Sequence, residues 1–125
     1  MDEQEQERKV AETMARIKEA YGQVPLVSRV MARRGDIFLA YSEFNKSVFY
    51  AEKALDRKTA EIAGIAAGAA LGAEFCLDVH IRQAIKAGAS EEEVFEALMI
   101  GSMVSLTKSQ AVAMRKFEAF FPPEK

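Results

Sequence analysis

One cysteine and one histidine occur in the 125-residue sequence, Cys76 and His80, and they stand four apart. On a helix that spacing makes the two side chains neighbours on one face. A thiol beside an imidazole is a nucleophile with a base in reach. If Ala73 is the N-cap, Cys76 is the third helical residue, close to backbone N–H groups without intrahelical partners and to the positive end of the helix dipole, a setting that favours thiolate. The plainer reading is that Cys76 is a small apolar filler and His80 a packed or surface histidine. Glu61 extends the pair. It lies 11 residues before Gly72 and His80 lies 8 after it. Around a helical hairpin centred on Gly72 these are about 16 Å and 12 Å of helix, an offset that side chains span. Glu61, His80 and Cys76 then form a carboxylate–imidazole–thiol line. The carboxylate holds the imidazole tautomer and the imidazole takes the thiol proton. On residue type alone, Glu61 also reads as helix-start electrostatics beside Arg57 and Lys58. The same three side chains are a conceivable ligand set for one metal ion, since a catalytic zinc needs three protein ligands.

The elements that must position these residues all read as helix. Prolines occur only at Pro25, Pro122 and Pro123, and no stretch alternates apolar and polar residues in the manner of a strand. A first helix is expected over about Asp2–Tyr21, with Val10, Met14, Ile17 and Tyr21 on one stripe and Gly22 as its stop. A short helix follows over about Pro25–Arg34, ended by Gly35, and then a third from an Asp36 N-cap to about Lys53. Asp56 is expected to cap a fourth over about Arg57–Leu71. Gly64, Gly68 and Gly72 recur every four residues there. Two interior glycines cost about 1 kcal/mol each against alanine, a cost tolerated where another backbone packs closely. A fifth helix runs over about Glu74–Ala87, closed by Gly88. Ser90-Glu91-Glu92-Glu93 is a capping box opening a sixth. A continuous helix from there to Phe121 is long for a globular protein, so a break is expected near Ser102–Thr107, with a seventh helix after it. No linker or internal repeat divides the chain, and residues 1–125 read as a single domain.

Composition narrows the partners. Lys plus Arg is 17 and Asp plus Glu is 19, a formal net charge of −2, which removes any charge-based case for nucleic acid or an anionic membrane. One cysteine excludes an intramolecular disulfide and a thiolate cluster. The longest apolar run, near Ile62–Leu71, is too short to span a bilayer. The acidic start, Met1–Arg8, lacks the apolar core of a signal peptide, so a cytoplasmic location is expected. No phosphate loop or nucleotide fingerprint occurs. Met14, Met31, Met99, Met103 and Met114 read as core filler. Phe38, Tyr41, Phe44, Phe49 and Tyr50 spread aromatic surface over several helix faces, more than one small core needs, which points to a homo-oligomer.

Leu55-Asp56-Arg57-Lys58-Thr59, Glu61, Ala70-Leu71-Gly72-Ala73-Glu74-Phe75-Cys76, His80 and Lys86-Ala87-Gly88-Ala89-Ser90-Glu91-Glu92-Glu93 together resemble the carboxymuconolactone decarboxylase family. The likeness is closer to its alkylhydroperoxidase D-like branch, with Gly22-Gln23-Val24-Pro25 as a further upstream piece. It covers about Gly22–Phe117. It implies an all-α, alkylhydroperoxidase D-like bundle of about six to seven helices, and a hexamer built as three dimers. That branch uses a glutamate and a Cys-x-x-Cys-x-x-x-His pattern. Glu61 matches the relay glutamate, Cys76 the second cysteine and His80 the histidine, while Ala73 stands where the first cysteine would be. The resemblance implies neither a cofactor nor a metal.

Three functions remain on this reading. The first is a one-cysteine thiol peroxidase of antioxidant type, with Cys76 reactive, His80 and Glu61 as its proton relay, and an external thiol as reductant. The second is an acid–base decarboxylase of a small carboxylated lactone, with His80 and Glu61 carrying protons and Arg57 or Arg82 as the nearest basic anchors. The third is a non-catalytic oligomeric binding protein on the same scaffold.

Overall fold

The computed structural model describes Met1–Glu124, and among these residues there are six α-helices and no strand. The all-α expectation holds. The chain divides into two compact units, Met1–Arg57 and Lys58–Lys125.

The first unit holds α1 (Glu3–Tyr21), α2 (Leu26–Met31) and α3 (Gly35–Phe49), with α3 packed against both others. The Asp2 carboxylate accepts the Glu5 N–H at 2.8 Å, and Gly22 ends α1 at φ +79°, a conformation that suits glycine. Two boundaries differ from expectation. Gly35 does not stop α2. The chain leaves α2 after Met31 through a tight turn in which the Arg33 and Arg34 N–H groups donate to Val30 and Met31. Gly35 then opens α3, with Arg34 rather than Asp36 at the N-cap position. Asp36 sits in the first turn, and the Ile37 N–H, helped by Arg34, holds its carboxyl below the ordinary aspartate value. α3 also ends at Phe49, short of Lys53, whose ammonium turns back to the Ser47 carbonyl at 3.1 Å. Phe38 is fully buried. Tyr21 and Tyr50 share a 2.8 Å hydroxyl–hydroxyl hydrogen bond.

The second unit carries α4 (Arg57–Leu71) from its second residue on, α5 (Glu74–Lys86) and α6 (Glu91–Phe120). Gly72 at φ +64° makes the turn between α4 and α5. The Ser90 hydroxyl accepts the Glu93 N–H, and the Glu93 carboxylate accepts the Ser90 N–H, completing the capping box of α6. Ile65, Ala84 and Ala97, one from each helix, form the buried core, with Leu77, Ile81 and Leu98 packed against it.

α6 is continuous, so the expected break at Ser102–Thr107 and the seventh helix are absent. The hydroxyls of Ser102 and Thr107 donate to the carbonyls of Leu98 and Val104 in the preceding turn. A hydroxyl spent in this way caps nothing. No proline or glycine interrupts the helix from Ser102 to Phe121.

Candidate functional site

α4 supplies Glu61 and α5 supplies His80 and Cys76. Glu61 lies one turn into α4, on the face that turns inward with Gly64, Ile65 and Gly68, all of which are buried. Its side chain is 1% exposed, yet it is not stranded. His80 Nδ1–H donates to Glu61 Oε2 at 2.7 Å, and the His80 side chain is 15% exposed. A buried carboxylate requires such a partner, because desolvation without one costs several kcal/mol.

The imidazole lies against α4 at Gly64, where the helix presents no side chain. A Cβ there would stand 2.9 Å from His80 Cγ and 3.0 Å from Nδ1. At Gly68 a Cβ would meet Leu77 Cδ2 at 3.2 Å. The close neighbours of these two glycines are thus mainly side chains of α5. The backbone approach expected of the glycine stripe occurs elsewhere, at Gly101 of α6, where a Cβ would collide with the Ala66 carbonyl of α4. Gly101 escaped the sequence reading because a single glycine in a long helix shows no periodicity. Gly64 was visible as a glycine, but not as the residue that receives the imidazole.

Cys76 is exposed and is the third residue of α5, one turn before His80 on the same face. Ala73 occupies the N-cap position and offers no side-chain cap. The first-turn N–H groups therefore lie next to the thiol without a side-chain acceptor from the cap residue. Leu71, the last residue of α4, and Phe75, in the first turn of α5, are exposed as well. The structure thus pairs Glu61 with His80 directly and sets Cys76 at the open end of the same helix face.

Arg57, one of the two basic residues nearest in sequence, is engaged in the first unit. It donates to the Phe49 carbonyl at 2.9 Å and lies 4.2 Å over the Tyr50 ring. Lys58 pairs with Glu93 at 2.9 Å. No three His, Cys, Asp or Glu side chains converge in a metal-binding group among the described residues. No helix among them is long and apolar enough to cross a membrane.

The hairpin of α4 and α5 buries a glutamate against an imidazole, with a cysteine one turn before that imidazole, and the sequence comparison places the chain in a family. Residues 35–119 match the carboxymuconolactone decarboxylase family, and the chain belongs to that family. Over 75 residues it is 31% identical to "Uncharacterized protein 4 in cox locus" of Paracoccus denitrificans, a match covering 60% of this chain and 64% of that protein. The matched region thus spans under two thirds of that relative's length. No solved structure matches the chain.

Proposed function

We propose that the chain is a one-cysteine thiol peroxidase in the alkylhydroperoxidase D-like branch of its family. The observation that carries this reading is the 2.7 Å Glu61–His80 hydrogen bond, one helical turn from an exposed cysteine. With Nδ1 engaged by Glu61, Nε2 is the ring nitrogen that exchanges a proton with the thiol. The Cys76 thiolate attacks the terminal oxygen of a hydroperoxide. An S–O bond forms, the O–O bond breaks, and two electrons pass from sulfur to the peroxide. The departing alkoxide takes the proton held on His80 and leaves as an alcohol. Cys76 is left as a sulfenic acid. Ala73 supplies no resolving thiol, so an external thiol attacks the sulfur, releases water and forms a mixed disulfide. A second thiol then frees Cys76.

The engagement of Arg57 with Phe49 and Tyr50 takes up one of the two cationic anchors, Arg57 and Arg82, on which the decarboxylase reading relies. The family match crosses the boundary between the two units, which supports one domain over residues 1–125. A homo-oligomer, six subunits by family resemblance, a cytoplasmic location and a small peroxide as substrate complete the proposal.

Alkylation of Cys76 by iodoacetamide, followed against pH, tests it. His80→Asn is expected to slow the reaction near neutral pH and to leave it unchanged at high pH, where the thiol ionises unaided. Peroxide turnover with an external thiol should fall by about 100-fold or more in the same variant, the range of a lost general base. A pH profile that His80→Asn does not alter, with no peroxide-dependent oxidation of Cys76, removes the reading.

A further inference from the structure

We propose that Gly64 is a positioning residue for the acid–base couple: it is the space in α4 into which the His80 ring fits, and without that space the ring cannot keep its hydrogen bond to Glu61. The inference deepens the peroxidase reading and rests on it for the role of His80.

Three observations converge. Glu61 and Gly64 are three apart on one helix, so they share the face that meets α5. A Cβ at Gly64 would lie 2.9, 3.0 and 3.1 Å from Cγ, Nδ1 and Cδ2 of His80, against the base of the ring rather than a mobile tip. The ring has little freedom to retreat, because Nδ1 is held by a carboxylate that is itself 1% exposed. Rotating His80 about χ1 to clear a methyl group carries Nδ1 away from Glu61. Gly68, one turn on, supplies the contrast. A Cβ there meets the branched end of Leu77, at 3.2 Å from Cδ2 and 3.3 Å from Cγ, which a small rotation relieves. Glycine is unfavourable in a helix interior, and at Gly64 the compensation is the imidazole.

Thermal unfolding of Gly64→Ala in two backgrounds tests this. In the native background the substitution is expected to lower Tm. In Glu61→Gln/His80→Ala, which lacks both the ring and the buried charge, it is expected to raise Tm, because only the helix preference for alanine is left. An equal fall in both backgrounds overturns the proposal. A Gly64→Ala chain that does not fold alone but folds in the second background supports it. The functional reading uses folded Gly64→Ala and Gly68→Ala. Gly64→Ala should slow Cys76 alkylation at neutral pH by the same factor as His80→Asn and not at high pH, and Gly68→Ala should follow wild type at both. The 15N shifts of the imidazole nitrogens give a reading independent of the thiol. A changed Nδ1 signal in Gly64→Ala supports the proposal and a wild-type signal overturns it. If His80→Asn itself leaves alkylation unchanged, the thiol reading fails, while the Tm cycle and the imidazole shifts still decide the role of Gly64.

Discussion

Ala73 is the residue at which this chain departs from the Cys-x-x-Cys pattern of the family branch it resembles, and its place in the fold makes the departure testable. Ala73 is the N-cap residue of α5 and Cys76 is the third residue of that helix. Thiols at these two positions pair across a helix start without moving the backbone far. Ala73→Cys should therefore lose two titratable thiols on mild oxidation and regain them with a dithiol reductant, read by thiol titration and mass spectrometry. Two thiols that stay free under oxidant would contradict the geometry. At the same scale, His80→Ala leaves the Glu61 carboxylate without the imidazole that faces it. Removing one partner of a buried pair costs about 3–5 kcal/mol, and the 15% exposure of the His80 side chain puts the expected loss toward the lower end. Adding Glu61→Gln, which removes the charge, should restore part of it in urea denaturation.

Two contacts join α6 to α4 in the second unit. Gly101 on α6 lies against the Ala66 carbonyl of α4, and a Cβ there would also stand 2.9 Å from Ala69 Cβ. Gly101→Ala should destabilise by about 1–3 kcal/mol through overpacking, reduced by the roughly 1 kcal/mol that alanine gains in a helix. A denaturation midpoint at or above wild type would show that the helices do not meet this closely. Lys58 at the start of α4 pairs with Glu93 at the start of α6. The Lys58 hydrogen bond and the Ser90 N–H hold the Glu93 carboxyl below its ordinary value of 4.5. A carboxyl lowered by folding stabilises the native state above the unfolded value and loses that contribution as pH falls through the folded one. Glu93→Gln keeps an acceptor for the capping box and removes the charge. Its Tm should lie below wild type at neutral pH and approach wild type as pH falls below the ordinary glutamate value of 4.5.

At the scale of the whole molecule, α6 is out of proportion to the core it serves. Ala97 and Gly101 are its buried residues, whereas Met103, Val104, Leu106, Val112, Phe117 and Phe120 are exposed. Tyr41 and Phe44 on α3 are exposed as well. Apolar surface of this extent is what subunit contacts cover. Light scattering at micromolar concentration should therefore give a multiple of 13.8 kDa, six-fold if the family resemblance extends to assembly. A single 13.8 kDa species would remove the oligomer.

Helix type, the stops at Gly22, Gly72 and Gly88 and the Ser90 capping box were legible in the sequence, because each depends on residues within one or two turns. The register that sets Glu61 opposite His80 was legible too, since a helical hairpin about one glycine leaves little freedom in length. Gly35 was misread because proximity in sequence does not show which of two helices a glycine serves. The helix start at Gly35 is packed under Gln6 of α1. The continuity of α6 was misread for a related reason: hydroxyls that can cap a helix can equally bond within one, and helix length alone does not decide between them. Which glycine receives a ring and which meets a backbone was settled only by tertiary structure. Each depends on atoms of another helix, and those distances have no counterpart in local spacing.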